Sequence, residues 1–365
     1  MVKAGLWFGV ALAALTGGAA QADILVGVAG PRSGAYANFG EQVFQGAALA
    51  VKDINAKGGV LGEKLKLVVG DDACDPKQAV SVANQFANDG VAFVAGHFCS
   101  GSSLPASAVY QDEGIVMMSF SSTNPKLTEQ GFSNIYRVCG RDDQQGPVAA
   151  ELIATKFKGE KVAILHDKTG YGKGLADSTK AELNRRGIQE TMYEAYTAGE
   201  KDYSALVTKM KQAGIGIIYL GGYHSEGGLI IRQAREQGLT ARMISGDGLA
   251  TSEFGQIAGK AADGTLFTFT PDPRKDPANK AIVESFRAAG FEPEGYTLNS
   301  YAILQIFAQA AAQAKSVKAE ALNKALHAGA FPSLLGKVEF DAKGDPKSPG
   351  YKVYEWKDGA FDYMK

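Results

Sequence analysis

The sequence predicts an α/β protein built as two doubly wound, Rossmann-like lobes joined by three crossings. Short β-rich apolar runs alternate with amphipathic stretches from residue 24 to about residue 270, the pattern of βαβ units on a parallel sheet. The chain has 365 residues, 45% of them hydrophobic, which exceeds what one core usually accommodates. The alternation is also interrupted by polar connections: NIYRVCGRDDQQGP (134–147), TPDPRKDPANK (270–280) and DAKGDPKSPGYK (341–352). Each reads as a passage between lobes.

Taken in order, residues 1–22 carry one Lys, then an apolar core, then small residues ending at Ala20-Gln21-Ala22. That is the pattern of a cleaved secretory signal, too short to span a bilayer. Removing it leaves 365 − 22 = 343 residues and takes away Lys3, so the formal charge of −1 becomes −2. Such a balance gives no footprint for nucleic acid. Strands are expected at 24–30, 64–70, 91–96, 115–120, 161–166, 190–196, 215–221, 242–246 and 264–269. Helices separate most of them. In EQVFQGAALAVKDINAKGG the apolar positions Val43, Ala47, Ala50, Val51 and Ile54 share one face, and Gly58-Gly59 stop the helix. Two Ala-rich helices follow at about 298–314 and 318–328, then a strand-like KVEFD and a closing hairpin, YKVYEWKDGAFDYMK. Lobe 1 is thus expected to comprise 23–141 plus 272–351, and lobe 2 142–271 plus 352–365.

Open α/β sheets bind ligands at the carboxyl ends of their strands. After strand 24–30 comes GPRSGAYANFG, whose glycines do not make GxGxxG; a dinucleotide site is disfavoured, and Phe39 is expected as an apolar wall of the cleft. After strand 91–96 comes GHFCSGSSLPAS, where Ser100, Gly101, Ser102 and Ser103 open a helix with Pro105 in its first turn. Hydroxyls and free N–H groups at a helix N-terminus suit a carboxylate, though Ser and Thr are also ordinary N-caps. Ser121, Ser122 and Thr123 repeat the design one strand later. In the second lobe, strand ends offer Tyr171 in HDKTGYGKG, Tyr223 in GGYHSEGG and Asp247 in SGDG. Asp247, flanked by glycines, can approach a cation closely, and equally fits a plain turn. An anion cradle facing an acid is what a zwitterion needs, so an amino-acid ligand is expected.

Other chemistries fit less well. His97, His166 and His224 follow strands, but no ligand spacing joins them to Cys or carboxylates, so no metal is expected; they are read as satisfying backbone groups, and His327 as a helix-surface residue. Ser100 or Cys99 as a nucleophile lacks the GxSxG elbow and a positioned base; a secreted serine hydrolase acting through Ser100 remains the enzymatic alternative. Two adjacent parallel strands would bring Cys74 and Cys99 to one sheet edge, which pairs them as a disulfide in an oxidising compartment and leaves Cys139 as a partly buried thiol. No cofactor is implied.

The stretches VGVAGPRSGAYANFGEQVFQGAALAVKDINAKGG, DDACDPKQAV, GHFCSG, GRDDQQGP, VAILHDKTGYGKGLA, YLGGYHSEGGLIIRQAREQGL and SGDG resemble the leucine/isoleucine/valine-binding proteins of bacterial ABC importers across essentially the whole mature chain. The resemblance implies a type I periplasmic binding protein, a Venus-flytrap whose lobes close on an amino acid and dock on membrane permease subunits in the periplasm. It implies that Ser100 and Thr123, with backbone groups of Ser121 and Ser122, hold the ligand carboxylate. Asp247 takes the α-ammonium, Tyr171 and Tyr223 close over the ligand, and Phe39, Phe98 and Tyr296 line the side-chain pocket. It also places the family's disulfide on Cys74 and Cys99. Three positions depart from the best-known members: Asp247 in place of Glu, Phe98 in place of an aliphatic residue, and Tyr296 in place of Phe. Two larger aromatics favour smaller ligands, so the implied range extends from leucine, isoleucine and valine to alanine, proline and γ-aminobutyrate. A sensory receptor on the same fold, signalling to a membrane protein, is a third class of reading.

Overall fold

The computed structural model describes residues 23–347 and 349–365; the expected signal, residues 1–22, lies outside the described residues. Strand β1 (Ile24–Gly30) leads through helix α1 (Ala37–Ala56) to β2 (Leu65–Asp71), then α2 (Pro76–Asn88), β3 (Phe93–Ala95), α3 (Ser100–Asp112), β4 (Val116–Ser119), the short α4 (Lys126–Glu129) and β5 (Ile135–Arg137). These strands form one parallel sheet in the order β2-β1-β3-β4-β5. Burial on both faces explains why β1, ILVGVAG, reads as an unbroken apolar run. Helix α2 starts where Asp75 accepts hydrogen bonds from the N–H groups of Lys77 and Gln78 while Pro76 occupies the first turn.

The second sheet begins after α5 (Asp142–Lys156) with β6 (Val162–His166), α6 (Gly170–Arg185), β7 (Met192–Ala195), α7 (Ser204–Ala213), β8 (Ile217–Gly221), α8 (His224–Glu236), β9 (Arg242–Ser245), α9 (Ser252–Ala258) and β10 (Leu266–Phe269). The chain then passes through α10 (Lys280–Ala288), α11 (Thr297–Ala314), α12 (Ala319–Ala328) and a small hairpin of β11 (Phe331–Ser333) and β12 (Gly336–Val338). It returns as β13 (Lys352–Lys357) and β14 (Ala360–Tyr363), which complete the sheet order β14-β13-β10-β9-β8-β6-β7. Helix α10 and strand β11 were not among the expected elements, whereas β12 overlaps the start of the strand-like KVEFD.

Helix α11 belongs with the first sheet although it follows the second in sequence. Its Ser300 hydroxyl donates to Val43 O on α1 at 2.7 Å, and a Cβ on Gly46 would sit 2.2 Å from Thr297 O. The closing hairpin anchors on the second sheet through Trp356, which is fully buried against Phe254 and Phe361. Two of the connections between sheets are bound side by side: Asp345 accepts from Arg137 Nε at 2.6 Å and from Arg141 Nη1 at 2.8 Å. Cys74 and Cys99 form a disulfide with Cα atoms 5.5 Å apart. Cys139 is fully rather than partly buried, because β5 continues into packed backbone at the crossing, and burial pushes its thiol pKa far up.

Among the described residues, no helix is long and apolar enough to cross a membrane.

Candidate functional site

The carboxyl ends of both sheets face one cleft, where two helix N-termini meet. Helix α3 begins at Ser100 and helix α6 at Gly170, and a Cβ on Gly170 would lie 3.3 Å from Gly101 Cα. Glycine at both positions eases this close approach of the two ends. Both carry the positive end of a helix dipole, so an anion between them is favoured from two directions.

Between these ends lies a small, nearly filled cavity lined by Phe98, Ser100, Ser121, Tyr171, Tyr223, Asp247, Gly248 and Tyr296. The structure thus brings together seven of the ten side chains picked from sequence. Phe39 stands one layer back, stacked on Phe98 with ring centroids 4.7 Å apart. Ser122 and Thr123 are buried beneath the lining. The Ser122 hydroxyl pairs with that of Ser103 at 2.6 Å and reaches Phe98 O at 2.9 Å. The Ser122 N–H goes to Ser119 Oγ at 3.0 Å. Thr123 Oγ1 is buried without a hydrogen-bond partner among the described residues.

The serine-rich loops are mutually tied. His97 O accepts from the hydroxyls of Ser103 and Ser119 at 3.2 and 2.8 Å, and Phe98 O accepts from Ser121 at 2.7 Å. Ser100 Oγ accepts from Asn124 N at 3.3 Å. Behind the second loop, the fully buried Arg137 donates to Ser122 O at 2.6 Å and Asn124 O at 3.0 Å. This guanidinium fixes the loop's path and connects it to Asp345. An arginine inside the apolar strand NIYRVC was the sequence signal for that role.

On the facing side, Asp247 is buried at 4% exposure. It receives Gln145 Nε2 at 2.8 Å, the Tyr171 hydroxyl at 3.0 Å and the Tyr296 hydroxyl. Burial raises its pKa, while those three donors pull the other way. Tyr171 also accepts from Gly248 N at 2.9 Å; at Gly248 a Cβ would strike Gly222 O at 2.5 Å. Gln145, missed from sequence, uses its whole amide here: its Oε1 accepts from Asp247 N at 3.1 Å and from Thr268 Oγ1 at 2.8 Å. Asp142, one turn earlier on α5, is fully buried, and burial together with the Asp247 charge lifts its pKa to about 8.

The histidines take other partners than expected. His97 engages Asp72 Oδ2 at 2.6 Å and the Tyr110 hydroxyl at 2.9 Å, and His224 engages Glu253 at 3.0 Å. Side chains rather than backbone engage both: the buried Asp72 faces His97, and the partly exposed Glu253 faces His224 Nε2, while His224 Nδ1 has no partner among the described residues; His166, accepting from Lys168 N at 3.2 Å, serves the main chain. Both ring nitrogens of His97 are therefore committed, and Cys99 is in a disulfide, so neither activates Ser100. Among the described residues, no three His, Cys, Asp or Glu side chains converge as a metal site.

A cleft between two α/β units, with an anion cradle on one wall and a buried acid on the other, agrees with comparison to known proteins. The family model for periplasmic binding proteins matches residues 23–360. The chain belongs to the periplasmic binding protein family. Among relatives of this binding protein is a Leu/Ile/Val-binding protein homolog from Brucella suis, 53% identical over 99% of each chain. An amino acid binding protein from Pseudomonas aeruginosa is 52% identical over 93% of this chain and 91% of its own. Of solved structures, a leucine binding protein from Thermotoga maritima has a TM-score of 0.87 at 27% identity, covering 94% of this chain and 98% of its own. A branched-chain amino acid transporter substrate-binding protein from Streptococcus pneumoniae, in complex with isoleucine, has a TM-score of 0.85 at 28% identity, covering 94% and 99%.

Proposed function

We propose that this periplasmic binding protein captures an aliphatic amino acid by lobe closure and delivers it to the permease subunits of an ABC importer, in the periplasm after loss of residues 1–22. The observation that carries this reading is the pairing of two opposed helix N-termini with the buried Asp247, which together match the two charges of an α-amino acid. The ligand carboxylate lies at Ser100, Ser121 and the α3 terminus, with Ser122 and Thr123 supporting that wall from beneath. Its ammonium takes the place of a tyrosine hydroxyl at Asp247, and Tyr171 and Tyr223 cover it. The lobes, 23–141 plus 272–351 and 142–271 plus 352–365, turn about the crossings near 141, 271 and 351, and a ligand touching both stabilises the closed form by its differential affinity. The relatives named for leucine, isoleucine and valine, and the isoleucine-bound neighbour, support the ligand class.

A second reading, a smaller or broader ligand range, is favoured by Phe98. Its ring stacks on Phe39 and meets Tyr296 edge-on at 5.4 Å, which narrows the cavity where a side chain would lie. Calorimetry on ligand-stripped protein with leucine, valine, alanine, proline and γ-aminobutyrate separates the two by their order of affinity. Asp247→Ala weakens the tightest of them by at least about 2 kcal/mol, because a desolvated ammonium loses its partner. No heat from any amino acid would sink the proposal.

A further inference from the structure

The two lobes touch at the rim of the cleft as well as at its centre. Asn124 Nδ2 reaches Gly170 O at 2.6 Å, the Tyr36 hydroxyl reaches Glu226 at a long 3.4 Å, and Asn38 Nδ2 donates to Thr251 Oγ1. One segment does more than these. Glu294, Gly295 and Tyr296 precede α11, whose packing on α1 places them with the first sheet, and Gln42 Oε1 on α1 accepts from Tyr296 N at 3.1 Å. Opposite them, Asp247 to Ser252 connect β9 to α9 on the second sheet.

Tyr296 grips the start of that opposing turn at Asp247. Glu294 grips its end: the carboxylate accepts from Ser252 N at 2.9 and 3.0 Å, from Ser252 Oγ at 2.9 Å and from Thr251 Oγ1 at 3.2 Å. Between them Gly295, at φ +55°, passes so close that a Cβ would lie 2.7 Å from Ala250 O. Among the described residues Glu294 has no basic partner in an ion pair. Its charge is instead met by donors of the first turn of α9, which belong to the other lobe. Those hydrogen bonds exist only when the lobes meet, and a contact made in one state alone shifts the equilibrium toward that state.

We propose that Glu294 is a positioning residue that latches the closed cleft, setting how long a bound amino acid is held without touching it. This rests on the proposed amino-acid capture. It goes beyond it in assigning retention to a carboxylate outside the cavity lining, in register with Tyr296 inside it.

The test uses the full chain. Ser252→Pro removes both donors of Ser252 while the first helical position tolerates proline, and Thr251, at ψ 140°, already has the conformation that precedes one. Glu294→Gln and Ser252→Pro each speed dissociation of the tightest-binding amino acid about three- to tenfold, the loss of a partly exposed charge-assisted contact. Association stays within about twofold, since encounter with the open cleft is untouched. The double variant dissociates no faster than the faster single one, because both changes break one contact. The melting temperature of stripped Glu294→Gln protein equals that of the wild type. Unchanged dissociation, additive effects in the double variant, or an equal loss of melting temperature with and without ligand would each overturn the latch. A ligand-independent arm guards against confusion: in the Glu294→Cys, Ser252→Cys double variant a short thiol cross-linker joins the lobes in stripped protein. Failure of wild-type protein to bind any amino acid defeats the proposed function alone, whereas absence of the cross-link defeats the latch.

Discussion

Asp247 and Asp142 are two buried carboxyls that both receive one glutamine amide, and burial raises the pKa of each. Asp247 has three donors, whereas the Asp142 carboxyl receives only a long contact from Gln145 Nε2 at 3.5 Å, and the Thr123 side chain pulls against burial. Asp142 is thus held protonated at neutral pH, with its pKa raised to about 8 by burial and by Asp247. An unfolded Asp ionises near pH 4, so between about pH 4 and pH 8 the folded chain keeps a proton that the unfolded chain has shed, and stability falls as pH rises through that window. Asp142→Asn mimics the protonated form and abolishes this slope. Chemical denaturation should show the variant gaining on the wild type by on the order of 2 kcal/mol between pH 6 and pH 9; a constant difference would mean that Asp142 is ionised throughout. Asp247 was legible in SGDG because glycines flanked it. Gln145 was not, although GRDDQQGP was in view, since nothing local distinguishes a glutamine that spends its whole amide on a residue 102 positions away.

At the scale of elements, strands were the most legible parts because a parallel sheet buries both faces and leaves plain apolar runs, as in VAILH of β6. Helix α10, with only Val283 and Phe286 buried in nine residues, gave too short a stripe between prolines to stand out. Strand β11 spans three residues, fewer than an alternating pattern needs, whereas its partner β12 falls partly within the strand-like KVEFD. The Cys74–Cys99 disulfide ties the segment after β2 to the N-cap of α3 and closes a separation of 25 residues. Replacing both cysteines by serine should cost about 3 kcal/mol on the chain-entropy account. Because the bridge ends at the cap of α3, hydrogen exchange in the first turn of that helix should rise more than in α1. Uniform acceleration across the first sheet would show that the bridge acts only on the unfolded chain.

For the whole molecule, the order of strands explains why one lobe depends on the last residues of the chain. Strand β13 pairs on β10 and β14 on β13, and Trp356 fills the space beside Phe254 where a Cβ on Gly255 would lie 2.7 Å from its ring. Truncation after Gly350 uncovers that edge and empties the site of Trp356. Exchange should then accelerate across β10 and α9 and leave β1 to β5 as they were; loss of protection in both sheets would mean that the lobes unfold as one unit. The crossings were visible as polar breaks, but their mutual bonding through Asp345 was not, because it joins residues 208 and 204 positions apart. The tied serine loops carry a further consequence. His97 O and Phe98 O already gather the hydroxyls around them, and Arg137 holds the carbonyls behind. Nothing in that wall has to be ordered when a carboxylate arrives, so little of the binding free energy is consumed in freezing loops. Capture then becomes a matter of rigid-body kinetics: the speed limit is diffusion into the gap, and the memory of the event resides in how slowly the gap reopens.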